Sequence, residues 1–405
     1  MRFVAMVAMA LASAAAAPKL FAEEPDGPSL SETEQALFDE TLAKYEAVNP
    51  VDPKTGRRKF IAFGVLSDLH ACKRIDGDAD PDNPNKGYWY YWGAVLTESG
   101  PSIRLLGALA RKVRLDAILH AGDFSTANTK KPFAPGDYRA VIRGVRAEIE
   151  RAAPGIPFFT VDGNHDRDYW SAKTKSGNRM DNAEWAEVLS EINTDVSGNE
   201  DIVLTRHRDL ENPTLADGGT GDYTGNSYTL DFRRLVKTGG ANVRLVAVSL
   251  YDKGPGSAAV QRAADGLRFD GAKDGLCPSN TVVGFLAHDM MHAIAPTVRA
   301  YLDANAGSRV FGAIAGHMHF AYMVPFGSKE ARLESKTHGM TNCFCEHGDT
   351  SRESCRLSLF VFDTEKNQLH EIRLAGGDKP NPKHPDRKLR PNRPVDVVSA
   401  FDCAR

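Results

Sequence analysis

Asp68-Leu69-His70, Gly122-Asp123, Gly163-Asn164-His165-Asp166, His288 and Gly316-His317-Met318-His319 follow one another along a chain of 405 residues. They supply carboxylate, amide and imidazole groups, the hard-to-borderline oxygen and nitrogen donors that two divalent transition metals accept. Each motif stands where a hydrophobic run ends, so each reads as the tip of a buried strand. Asp68 and His70 are one residue apart, and alternate residues of a strand face the same side, so both can reach one ion. Gly163 permits a tight turn ahead of Asn164, an uncommon ligand, and Gly316 does the same for His317 and His319. Any one motif alone is weak. Four strand ends in order are a joint signal for a dimetal site.

The intervening segments must position those tips. The core begins sharply at 59–67, a continuous apolar run that reads as a strand buried on both faces. A helix is expected at 102–113, a strand at 115–120, a helix at 138–152 and a strand at 156–161. This alternation is that of an α/β sheet, which places ligands at the carboxyl ends of its strands. Residues 71–100 are loop-like, and 168–225 are polar and Gly/Asn-rich with one helix at 181–192, so both read as cap or loop insertions. Strands are expected again at 227–232, 243–250, 281–287 and 310–315, with a closing hairpin at 357–363 and 368–374. The resulting organisation is a signal peptide at 1–22, a leader region at 23–58, one domain at 59–375 and an extended C-terminal tail at 376–405. In the leader, Ser31 and Glu34 fit a capping box, and Ala36, Leu37, Leu42 and Tyr45 are expected to form the apolar face of a helix at 31–48.

Arg2 is the only charge ahead of the apolar run 3–17, and small residues follow, the layout of a secretory signal. The run is too short to span a bilayer, and no later stretch reaches spanning length. The mature chain is therefore expected to be soluble and exported, to the periplasm or the extracellular space. Six cysteines (Cys72, Cys277, Cys343, Cys345, Cys355 and Cys403) are compatible with disulfides there, and spacing does not fix their pairing. With 50 basic and 53 acidic residues the net charge is −3, so no global positive field invites nucleic acid. The sequence leaves the oligomeric state open.

The order and spacing of the motifs resemble the calcineurin-like metallophosphoesterase superfamily, over roughly residues 60–374. The resemblance implies a four-layer α/β/β/α sandwich of two mixed sheets, with the dimetal site at the strand ends. It implies that Asp68, His70 and His319 bind one metal, that Asn164, His288 and His317 bind the other, and that Asp123 bridges both. His292 lies one helical turn beyond His288; His288 is preferred because a strand ends directly at it. Thr126 stands where purple acid phosphatases carry a metal-binding Tyr, so the Asp-x-His form of the first motif points to the non-purple branch. The implied cofactors are two divalent or trivalent ions (Fe, Mn or Zn), and the implied class is a metal-dependent phosphoric ester hydrolase, either phosphatase or phosphodiesterase.

Cations held by these residues would be expected to polarise a phosphoryl oxygen and to supply a metal-bridging hydroxide as the nucleophile toward phosphorus. His165 is then the expected general acid for the leaving alkoxide, paired with Asp166 or another carboxylate. The expected substrate is a small phosphorylated molecule: a nucleotide, a phospholipid headgroup or a sugar phosphate. Tyr88 and Trp89, in an aromatic burst at 88–92, together with Arg167 and His338, are candidate substrate contacts. His120 reads as a core residue. The competing reading is a catalytically inactive binding protein that keeps the fold, and the filled ligand set argues against it.

Overall fold

Runs of bulky apolar residues form the strands. The computed structural model describes residues 30, 32–67, 69, 100–124, 135–163, 166, 182–206, 227–249, 263–269, 275–288, 295–305, 307–316, 357–366, 368–374 and 395–398. These include strands β1 (Ile61–Leu66), β2 (Ala117–His120), β3 (Phe158–Thr160), β4 (Ile202–Arg206), β5 (Tyr228–Phe232) and β6 (Asn242–Ala247). β7 (Thr281–Leu286), β8 (Arg309–Ile314), β9 (Leu357–Asp363), β10 (Gln368–Leu374) and β11 (Val395–Val398) follow. The helices are α1 (Glu32–Val48), α2 (Gly100–Lys112), α3 (Pro135–Ala152), α4 (Asn182–Ile192) and α5 (Ala295–Ala304).

The strands make two mixed sheets, six strands in the order β11-β10-β9-β1-β2-β3 and five in the order β4-β5-β6-β7-β8. β1, β2 and β3 run parallel in the first, and β6, β7 and β8 run parallel in the second. Side chains alternate across each strand, and both faces of each sheet are apolar, so the two sheets stack with helices outside. Ile61, Phe63 and Val65 of β1 pack inward against Leu230 and Phe232 of β5 and Leu245 of β6. Ala62 and Leu66 of β1 instead meet α2, α3 and α4 through Leu106, Val145 and Trp185. On the far side, Val246 of β6 and Phe285 of β7 pack against Val298 and Tyr301 of α5. Helices, sheet, sheet and helix give the four layers that the motif resemblance implied.

At the amino end of the parallel strands, a buried ion pair fastens one sheet to the other. Arg234, just after β5, donates from Nε to Asp116 Oδ1 at 2.8 Å, and its other nitrogens donate to the carbonyls of Arg58 and Phe60. Both charged side chains are less than one-tenth exposed. Asp116 also accepts the Ala62 amide, so each partner is satisfied on several sides, as a buried pair requires.

Three expectations need correction. The leader helix forms, but Ala36 is exposed, and the packed stripe is Phe38, Thr41 and Tyr45 with Leu42 half-buried. That spacing follows one face more closely, and buried Asn49 pins the helix end by bonding the Phe60 amide and carbonyl. The 168–225 segment is not wholly an insertion, because α4 lies in the outer helical layer and β4 is the edge strand of the second sheet. The C-terminal tail is likewise not wholly outside the fold, since β11 pairs antiparallel with β10. Both are edge strands of only five and four residues set within long polar segments, and so short an apolar run does not establish a period. Cys277 is a free thiol, and the other five cysteines lie outside the described residues. No described helix is long and apolar enough to cross a membrane.

Candidate active site

β2 ends in a turn that no ordinary residue pair would adopt. Gly122 has φ +86° and Asp123 has φ +55°, and Asp123 is the only described residue other than glycine at positive φ. A left-handed residue with a Cβ costs about 1–3 kcal/mol, and Asp is among the few that visit the region. The strain places a fully buried carboxylate at the seam between the two sheets.

His288 arrives from the other sheet, two residues beyond β7, and is also fully buried. Its Nδ1 lies 2.8 Å from the Ala121 carbonyl oxygen. A carbonyl only accepts, so Nδ1 is assigned the proton, and Nε2 of the neutral ring presents its lone pair. That lone pair faces Asp123 Oδ2 at 3.0 Å. Two electron-rich atoms held so close demand a positive charge beside them, either a proton on Nε2 or a cation that both ligate. Nitrogen and oxygen ligands about 2.1 Å from one ion at a right angle stand about 3.0 Å apart, so the donor pair fits a transition metal.

The glycines of the motifs leave no room for side chains. A Cβ at Gly163 would lie 2.1 Å from Asp123 Oδ1 and 2.3 Å from the Asp123 nitrogen, and one at Gly122 would lie 2.7 Å from His288 Nδ1. The remaining strand ends are tied to the same place. The Ala121 amide donates to the Leu66 carbonyl, Ser67 Oγ donates to the Ala121 carbonyl, and the Gly316 amide donates to the His288 carbonyl at 3.0 Å. The tips of β1, β2, β7 and β8 therefore converge, and Gly163 after β3 packs on Asp123.

Asp123 and His288 are thus brought together. Asp68, His70, Asn164, His317 and His319 lie outside the described residues, as do His165, Tyr88, Trp89, Arg167 and His338. Among the described residues no group of three or more metal-binding side chains is assembled. Asp166 is buried, and its Oδ2 accepts the Gly163 amide at 2.8 Å while its own amide donates to the Gly163 carbonyl. That carboxylate therefore ties Asp166 back to Gly163, three residues before it. His120 is a core residue: its Nδ1 pairs with Thr160 Oγ1 at 2.9 Å and its ring packs edge-on against Phe124.

One carboxylate escaped sequence reasoning. Asp162 is fully buried directly before Gly163 and accepts a hydrogen bond from Ser249 Oγ, beyond β6, at 2.7 Å. The signal was a charged residue continuing a buried strand, where apolar side chains are the rule.

The sequence model of the calcineurin-like phosphoesterase family matches residues 61–245, which bears out the resemblance read from the motifs. The matched segment contains the first three motifs and ends before His288. No curated protein sequence matches the chain. Among solved structures, a dimetal phosphatase from Danio rerio is similar at 12% identity and a TM-score of 0.43, over 78% of this chain and 96% of its own. The TT1561 protein of Thermus thermophilus is similar at 12% identity and a TM-score of 0.32, over 77% of this chain and 98% of its own. An NAD nucleotidase from Haemophilus influenzae is similar at 13% identity and a TM-score of 0.33, over 77% of this chain and 47% of its own.

Proposed function

We propose that this chain, which matches the calcineurin-like phosphoesterases over residues 61–245, is an exported dimetal hydrolase of small phosphate esters. The observation that supports it best is the meeting of Asp123 Oδ2 and His288 Nε2 at 3.0 Å, from two different sheets. Asp68, His70 and His319 are assigned to one ion, Asn164, His288 and His317 to the other, and Asp123 to both. Cations held there would supply Lewis-acid charge to the phosphoryl oxygens and make water acidic enough to attack near neutral pH.

The chain's own groups do the rest. Asp123 offsets the mutual repulsion of two cations, which neutral Asn164 and the histidines cannot do. The Ala121 carbonyl fixes the His288 tautomer, so Nε2 is ready as a ligand without reorganisation. The closed turn from Gly163 to Asp166 holds His165 in sequence next to Asn164, and His165 gives its proton to the leaving alkoxide. Asp166 or another carboxylate is assigned to pair with His165, and one Asp166 oxygen also accepts the Gly163 amide.

The test is a metal-reconstituted activity screen with a chromogenic phosphomonoester and a matching diester, run beside elemental analysis of the purified protein. Turnover that requires two equivalents of Fe, Mn or Zn supports the reading, and the preferred ester assigns the reaction. Protein that binds no transition metal and hydrolyses neither ester overturns it.

A further inference from the structure

Three of the hydrogen bonds that cross the seam between the sheets lie near the carboxyl ends of the parallel strands. Two of them stand at or beside the site: His288 Nδ1 to the Ala121 carbonyl, and Tyr228 Oη to the Thr160 carbonyl at 2.6 Å. The third joins Ser249 Oγ to Asp162 Oδ2 at 2.7 Å, and the proposed chemistry uses neither residue. Asp162 is 0% exposed and Ser249 3%. Ser249 is itself held from behind, its amide donating to Ser227 Oγ at 3.0 Å, and Ser227 is also buried. A carboxylate sealed between two sheets is expensive unless it is hydrogen-bonded, and an apolar residue would pack there at less cost.

We propose that Asp162 is a positioning residue. Through Ser249 it clamps the Gly163–Asp166 turn of the first sheet to the end of β6 in the second, and so fixes the turn's distance from His288. The proposal rests on the phosphoesterase reading, because Asn164 and His165 in that turn are the residues assigned there to one ion and to the leaving group. A hydroxyl–carboxylate bond is charge-assisted and about twice as strong as a neutral one. Its two ends lie two residues beyond β3 and β6, 87 positions apart in sequence, so it restrains the seam rather than a local loop. Loss of a group hydrogen-bonded directly to a metal ligand weakens binding by about 10–100-fold, and a clamp that acts one residue further away is worth the lower end of that range at most.

The test uses the full chain, stripped of metal, as wild type, Ser249→Ala and Asp162→Asn. Titration with Mn²⁺ by calorimetry is expected to show two ions binding wild type. In Ser249→Ala one of them should weaken by up to about 10-fold while the other holds. Asp162→Asn keeps an oxygen for Ser249 and should lose less. In the metal-free proteins, amide exchange at 161–166 should rise in Ser249→Ala while β6 and β7 stay protected. Wild-type exchange and unchanged affinity for both ions in the two variants would overturn the clamp. So would an equal loss at both ions accompanied by general loss of protection, which is the mark of ordinary packing. If wild type binds fewer than two ions, the dimetal assignment falls, and the metal-free exchange still decides the clamp by itself.

Discussion

Gly163→Ala isolates the geometry of the site with one methyl group. The new Cβ would stand 2.1 Å from Asp123 Oδ1 and 2.3 Å from the Asp123 nitrogen. Non-bonded carbons settle about 3.5–4.0 Å apart, so even with a shorter approach to oxygen the groups must separate by about 1 Å. Rotating the Asp123 side chain does not relieve the clash, because the backbone nitrogen is equally in the way. The turn at 163–166 must therefore move off the end of β2, taking Asn164 and His165 with it. A misplacement of about 1 Å at a reacting centre costs about 10²-fold in rate, and overpacking costs about 1–3 kcal/mol in stability. The expected result is a fall in kcat/KM of at least about 10²-fold, weakened binding of one ion, and a melting temperature only a few degrees lower. Steady-state kinetics, metal stoichiometry and thermal melts measure the three. Gly155→Ala is the control: its φ is +72°, but nothing lies within 4 Å of the added methyl, so it should cost stability and leave the site intact. Gly163→Ala with two bound metals and wild-type turnover would refute the packing of this turn on Asp123.

Asp123→Asn keeps the side-chain shape while removing one negative charge, so metal occupancy should fall from two toward one and activity more steeply; elemental analysis beside kinetics checks it. His165→Ala should leave both metals bound and slow turnover about 10²–10⁴-fold for poor leaving groups, with less effect on activated ones. Loss of metal in that variant would make His165 a ligand. Asp116→Ala strands the buried Arg234 guanidinium and should cost about 3–5 kcal/mol in chemical denaturation with metal content unchanged, since the pair lies at the opposite end of the strands from Asp123. Intact-mass measurement of the mature protein from its native host should place the first residue near 15–23, and folded protein that keeps Met1 would rule out the export signal.

Much of this fold was readable because its strands are short apolar runs bounded by polar turns. The hairpin at 357–363 and 368–374 came out with the observed bounds, and β1 to β3, β5 to β8 and α2 to α4 lie within a few residues of expectation. α5 and the edge strands β4 and β11 were missed. β4 and β11 are apolar but only five and four residues long, inside polar segments, so nothing in the sequence marks them as strands until a neighbour pairs with them. The true packing stripe of α1 was equally hidden, because either of two adjacent faces satisfies a helical period until the sheet beneath selects one.

By itself, the sequence pointed to side chains of the right chemistry and to strands that end just ahead of each motif, since both readings follow from residue type and local apolar periodicity. Gly163 read as the pivot of a tight turn, yet its φ is not positive, and it is glycine because a Cβ there would lie 2.1 Å from Asp123 Oδ1. The tertiary structure alone decided what those ends meet. The Ala121 carbonyl selects the His288 tautomer across 167 residues of sequence, and Ser249 finds Asp162 across 87. Such contacts depend on how two sheets, each apolar on both faces, stack and register. Local periodicity carries no information about that choice, because burial in the seam is non-directional and the hydrogen bonds that fix the register form only after the sheets have met.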